Sequence, residues 1–145
     1  MTDPVVLVAE DNTDDFMLLQ RAFRKAQITA VLKWVKDGHD ARSYLKGEPP
    51  YQDREAHPLP VFLLVDLKMP RMDGFELVSW MRSQPLIRRI PVVVLTSSNQ
   101  TPDINRAYEL GANSYLVKPG RFEDLLQLSD SLRAYWLCLN QNATI

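Results

Sequence analysis

The chain is poor in cysteine, in one-sided charge and in long apolar runs. Cys138 is the single cysteine among 145 residues, so no disulfide can form within the chain, which suits a reducing, cytoplasmic setting. Lys and Arg number 17 against 18 Asp and Glu. That balance leaves no basic footprint for nucleic acid or an anionic membrane surface, and recognition has to come from shape and specific contacts. No apolar stretch approaches the ~18 residues of a spanning helix, and Met-Thr-Asp-Pro at the start lacks the basic-then-apolar pattern of a secretion signal. The two histidines, His39 and His57, have no ligand spacing and read as solvated. There is no internal repeat, low-complexity tract or linker, and a chain of this length buries roughly 68–70% of its unfolded surface as one domain.

What is present is a series of short apolar runs, each ending abruptly in polar residues. Val61 to Val65 is continuous and apolar, the pattern of a parallel strand covered on both faces, and it stops at Asp66. Val5 to Ala9 stops at Glu10-Asp11, Ile90 to Leu95 at Thr96, and Asn113 to Val117 at Lys118. Val31 to Val35 carries Lys33 and closes on Asp37-Gly38, as expected of a strand nearer the sheet edge.

Between these runs lie helical patterns. Asn12 or Thr13 can cap a helix with Asp14 and Asp15 in its first turn and Phe16, Leu19 and Phe23 on its inner face. Further helices are expected over about 39–47, after Gly74, from about Thr101 to Leu110 with Gly111 as its stop, and from about Arg121 into the 130s. The segment 47–60 holds four prolines and reads as a long surface loop without regular structure. Five strand–helix alternations with short connections predict an α/β domain, a flavodoxin-like doubly wound parallel sheet of order 2-1-3-4-5 with helices on both faces.

In such a sheet, ligands bind beyond the carboxyl ends of the strands. Those ends bring Glu10, Asp11, Asp66, Thr96 and Lys118 to one rim. Crowded carboxylates call for a hard divalent cation, and Mg²⁺ fits best, with Mn²⁺ or Ca²⁺ as substitutes. Asp66 is then the candidate nucleophile toward phosphorus, with Lys118 and the Thr96 hydroxyl placed for the phosphoryl oxygens. Taken singly, Asp66 and Thr96 would be ordinary caps and Lys118 a surface lysine; their common register favours a site.

The elements Val-Ala-Glu10-Asp11-Asn, Leu-Val-Asp66-Leu-Lys-Met-Pro70-Arg-Met-Asp-Gly74, Val-Leu-Thr96-Ser-Ser and Val-Lys118-Pro119 resemble those of bacterial response-regulator receiver domains of the single-domain type. The intervals of 30 residues from Asp66 to Thr96 and 22 from Thr96 to Lys118 match that family. The 55-residue interval from Asp11 to Asp66, lengthened by the 47–60 loop, is similar to the regulators that receive phosphate from bacterial phytochrome histidine kinases. The resemblance implies a stand-alone response regulator phosphorylated on Asp66 by a histidine kinase, here a bacteriophytochrome. It implies Glu10 and Asp11 as metal-side acids, the Lys68 carbonyl as a further metal ligand, and Thr96 and Tyr115 as the switch pair. It also implies a cis peptide at Lys118–Pro119. For Tyr115, simple packing is the other reading. Such a chain is no enzyme beyond its own phosphorylation and dephosphorylation, and with no residues left for an output domain its signal is expected to pass by contact with an unknown downstream protein.

Two rival readings stay open: a receiver-like scaffold indifferent to phosphate, and an aspartyl-phosphate phosphohydrolase. Hydrolases of the haloacid dehalogenase group want an acid two residues past the nucleophile, where this chain has Lys68. Finally, Tyr135 to Leu139 is apolar all round, more than a one-sided helix can bury. The expectation is that residues 132–145 form an extension of the single domain 1–145 used for homodimerisation, through Tyr115, Leu132, Tyr135, Trp136 and Leu139.

Overall fold

Three of the five strands are apolar on both faces, so they can only sit at the centre of a sheet covered above and below. These are β1 (Val5–Ala9), β3 (Phe62–Val65) and β4 (Val92–Thr96), every residue of which is buried. The computed structural model describes residues 2–145. Its sheet is parallel throughout in the order β2-β1-β3-β4-β5, with β2 (Val31–Val35) and β5 (Ser114–Val117) at the edges. Pairing sets Ala9 beside both Val35 and Val65, and Thr96 beside Val117. All the carboxyl ends therefore open on one side.

Alternation along the strands divides the core. Val6, Val8, Phe62, Leu64 and Val93 face α1 (Thr13–Lys25) and α5 (Phe122–Leu132), while Leu7, Leu63, Val65 and Val92 face α2 (Gly38–Lys46) and α3 (Gly74–Arg82). A smaller cluster of Val94, Leu67, Phe75 and Ala107 seats α4 (Thr101–Leu110). Each such valine, leucine or phenylalanine, fully buried, contributes roughly 1.5–3 kcal/mol. Caps fix where the helices begin: Asn12 accepts the Asp15 N–H, Asp37 accepts the Asp40 N–H, and Asp73 with Glu76 forms a reciprocal capping box. Gly111, at φ 115°, ends α4 as expected.

The 47–60 loop lacks regular structure, as expected, and it is pinned in place: Arg54 donates to the carbonyls of Tyr44 and Leu45, both at 2.8 Å, and the Tyr51 hydroxyl donates to Asp40 Oδ1 at 2.7 Å. Two expectations need correction here. His57 is not solvated. It lies half-buried against the rings of Tyr44 and Tyr51, drawn there by apolar contact, with Nδ1 shielded and without a partner. At the C-terminus, α5 passes into a π-helical segment, Arg133–Leu139, whose wider winding turns Trp136 and Leu137 back onto the core. Trp136 lies 6.1 Å from the Phe62 ring, and Leu132 is 3% exposed. Leu132 is thus a core residue and not part of an outer surface, whereas Tyr135 and Leu139 remain exposed.

Candidate acidic site at the strand ends

The rim of the sheet brings together the residues that the sequence placed there. Lys118, leaving β5, extends its ammonium to Glu10 Oε1 at 2.6 Å, Asp66 Oδ2 at 2.8 Å and Asp15 Oδ2 at 2.7 Å. Thr96, the last residue of β4, donates its hydroxyl to Asp66 Oδ1 at 2.8 Å. Asp66 is thereby held from two sides, one oxygen by the amine and the other by the hydroxyl. The Lys68 N–H lies 3.4 Å from Asp66 Oδ1, at the start of the loop that follows β3. Packing makes this loop tight, since a Cβ on Gly74 would run into the Asp66 carbonyl oxygen.

Glu10 and Asp66 are buried and Asp11 is exposed. Carboxylate oxygens of these three lie within 4.8 Å of one another. Opposite ligands of an octahedral Mg²⁺ are about 4.2 Å apart, twice the metal–oxygen distance, so the donor set has the right element and spacing for a hard divalent cation. One ammonium among three carboxylates leaves an excess of negative charge. Burial, aided by the charge on Asp66, pushes the Glu10 carboxyl up to about 7, against the opposing pull of Lys118 and the Asn12 N–H. Lys118 loses hydration by burial, but its bonds to Asp15, Asp66 and Glu10 outweigh that loss and hold it charged, above the usual lysine range.

Tyr115 is half-buried, with its hydroxyl donating to the Ser98 carbonyl at 2.9 Å in the loop after β4. The expected cis bond at Lys118–Pro119 is not there; among the described residues the cis bond is Pro49–Pro50. A trans X–Pro amide is preferred intrinsically by about 0.5–1 kcal/mol, and Lys118 reaches all three acids with it. Two contributors escaped the sequence reading. Asp15 looked like a first-turn acid of α1, although lying one helical turn past Asp11 it could be placed on the strand-end side. Trp34 stacks on Phe16 at 4.6 Å and donates its indole N–H to the Glu10 carbonyl at 2.7 Å, fixing the peptide from which Glu10 projects.

A doubly wound parallel sheet with acids, a hydroxyl and an amine gathered at its carboxyl rim defines a flavodoxin-like α/β domain with a cation-adapted site. The particular family follows from comparison: the family model described as "Response regulator receiver domain" matches residues 6–130, and the chain belongs to that family. It is 39% identical over 141 residues to the "Probable methanogenesis regulatory protein FilR2" of Methanothrix harundinacea, covering 97% of this chain and 88% of the relative. It is 34% identical over 133 residues to "Response regulator Rcp1" of Synechocystis sp., covering 92% and 88%. Among solved structures, it resembles a response regulator "in red light signaling of R. palustris" with TM-score 0.93 and 37% identity over 98% of this chain and 99% of that one. The "Phosphorylated Cyanobacterial Phytochrome Response Regulator RcpA" gives TM-score 0.90 and 31% identity, over 99% and 100%. No helix among the described residues is long and apolar enough to cross a membrane.

Proposed function

We propose that this chain is a response regulator that accepts a phosphoryl group on Asp66 from the phosphohistidine of a histidine kinase. The carrying observation is the double hold on Asp66, by Lys118 at 2.8 Å and Thr96 at 2.8 Å, beside a cation-spaced set of acids. A carboxylate oxygen of Asp66 forms the bond to phosphorus, the P–N bond to the donor imidazole breaks, and that nitrogen keeps the electron pair and takes a proton. Glu10, Asp11, Asp66 and the Lys68 carbonyl would hold Mg²⁺, which when bound neutralises and aligns the phosphoryl oxygens. Lys118 exchanges its carboxylate partners for a phosphoryl oxygen, and Thr96 turns its hydroxyl to another. Space vacated by Thr96 is then open to the Tyr115 ring, whose hydroxyl leaves Ser98.

The red-light and phytochrome descriptions of its relatives support a bacteriophytochrome as the donor kinase. The chain acts in the cytoplasm, catalyses no reaction beyond its own phosphorylation and dephosphorylation, and signals by protein contact with neither nucleic acid nor membrane as partner. Its residues form one receiver domain whose C-terminal segment makes a homodimer through Tyr135 and Leu139, which are 50% and 71% exposed, together with the half-buried Trp136 and Tyr115. Leu132 drops out of that interface because its own core covers it.

Phosphotransfer from purified histidine kinases, with Mg²⁺ and with Asp66→Asn as control, tests the assignment. Labelling of the wild type that vanishes in Asp66→Asn is expected. A chain that takes no label from any kinase or from acetyl phosphate, or one labelled equally in Asp66→Asn, refutes it. For the dimer, Leu139→Glu and Tyr135→Glu leave the core alone, and an unaltered sedimentation mass in both removes that surface.

A further inference from the structure

The loop between Asp66 and α3 carries the Lys68 amide that touches the Asp66 carboxylate, so its position matters to whatever the site holds. Two ties bind this loop to the distant corner between β2 and α2. Arg71 reaches Asp37 Oδ2, through Nε at 2.9 Å and through Nη2 as well, and the Gly38 N–H donates to the Met72 carbonyl at 2.9 Å. The approach is close enough that a Cβ on Gly38 would collide with the same Met72 carbonyl.

Neither tie looks incidental. Arg71 sits at φ 66°, a left-handed conformation that is costly for an L residue other than glycine, and such strain persists only where surroundings enforce it. The Asp37 side chain is 8% exposed, and both its oxygens are engaged, Oδ1 by the Asp40 N–H at 2.8 Å and Oδ2 by Arg71. The corner it belongs to is itself braced, since Asp40 accepts the Tyr51 hydroxyl from the proline-rich loop. The Arg71 side chain is 64% exposed, so solvent screens the pair and as a stability device it is weak. Its geometry is better suited to fixing a direction. Arg71 is an outrigger that sets the course of three residues, Lys68 to Pro70, between it and the site.

We infer that Asp37 and Arg71 are positioning residues, whose ion pair orients the Lys68 backbone over Asp66 and so sets both divalent-cation affinity and the rate of phosphoryl acceptance. The inference rests on the proposed function and extends it to two side chains that bond to none of the acids themselves. Partners of ligands, one shell removed, typically govern metal affinity or activity by about 10–100-fold.

The test compares the full chain with Asp37→Asn, Arg71→Asn and the double variant. In Asp37→Asn the new side chain keeps an oxygen for the cap of α2, and in Arg71→Asn the asparagine tolerates the left-handed backbone. Three quantities are measured at a temperature where all are folded: Mn²⁺ affinity by electron paramagnetic resonance, the rate of phosphorylation by acetyl phosphate at saturating Mg²⁺, and the melting temperature. Each single variant is expected to bind Mn²⁺ about 10-fold more weakly and to accept phosphate more slowly, with the double variant no worse than the weaker single. Wild-type affinity and rate in either single variant overturn the inference, as does a lowered melting temperature with affinity unmoved. Additive losses in the double variant overturn it too, since they mean the two residues do not act as a pair. A wild type that neither binds Mn²⁺ nor takes phosphate removes the proposed function and the inference together, whereas a competent wild type with unchanged variants removes the inference alone.

Discussion

Replacing Lys118 by methionine, of similar length but without charge, leaves Glu10, Asp15 and Asp66 facing one another. The cost can be worked from exposure. Lys118 is 15% exposed, and its partners Glu10 and Asp66 are 6% and 9% exposed, so those two legs, at 2.6 and 2.8 Å, count as a buried pair system. Removing one member of such a system costs about 3–5 kcal/mol, because charge is left buried without compensation. The Asp15 leg is 37% exposed and adds at most about 1 kcal/mol after screening. In chelator, Lys118→Met should therefore be less stable than wild type by about 3–5 kcal/mol in urea denaturation at neutral pH. The variant has more to gain from a cation: in the wild type a bound Mg²⁺ would compete with the ammonium for Glu10 and Asp66, and in the variant it would not. Mg²⁺ at a hundred times its Kd returns about 2.7 kcal/mol, and the variant reaches that point at a lower concentration. Equal denaturation midpoints in chelator, or an identical Mg²⁺ increment for both proteins, would refute the electrostatic account of the site.

Other expectations follow from the same geometry. Glu10 is raised from 4.5 to about 7 in the folded protein, so its contribution to stability is complete below pH 4.5 and is lost as pH rises through 7; chelated Glu10→Gln should lack that decline in a pH series of denaturation midpoints. Burial raises the Asp37 carboxyl, but the Asp40 N–H and Arg71 more than reverse this and lower it, so Asp37→Asn should flatten the loss of stability seen as pH falls through the acid range. Gly38→Ala should destabilise by roughly 1–3 kcal/mol or more in thermal melts, since its methyl meets the Met72 carbonyl and the root of the Met72 side chain, not a yielding side-chain end. Trp136→Ala should cost on the order of 2–3 kcal/mol, below the range for a fully buried tryptophan because Trp136 is half-buried; a stability equal to wild type would mean the C-terminal segment does not pack as described.

The fold was legible because its signals are local. Continuous apolar strands, Lys33 marking the edge and Gly111 ending α4 each need only a few neighbouring residues to be read. Glu10, Asp11, Asp66, Thr96 and Lys118 were readable as a group because a parallel sheet sends every strand's carboxyl end to the same rim. What escaped depends on contacts between segments far apart or on backbone winding. Asp15 and Lys118 are 103 residues apart, and Asp37 and Arg71 are 34 apart, with nothing in either neighbourhood that names its partner. The π-helical winding of Arg133–Leu139 does not show in the spacing of its apolar residues, and it is this winding that decides which of Trp136, Tyr135 and Leu139 face solvent. His57 looked free because proline-rich surroundings hide the aromatic cluster it joins.

Arg54 has a bearing on how the chain can be altered. By donating to the carbonyls of Tyr44 and Leu45 it finishes α2 from outside the helix, adding to the Gly47 N–H on Tyr44 and giving Leu45 a side-chain donor. The proline-rich stretch, which a protein engineer would trim first, is accordingly part of the closure of a helix end, and shortening it past Arg54 would leave the last turn of α2 to the Gly47 and Glu48 amides alone.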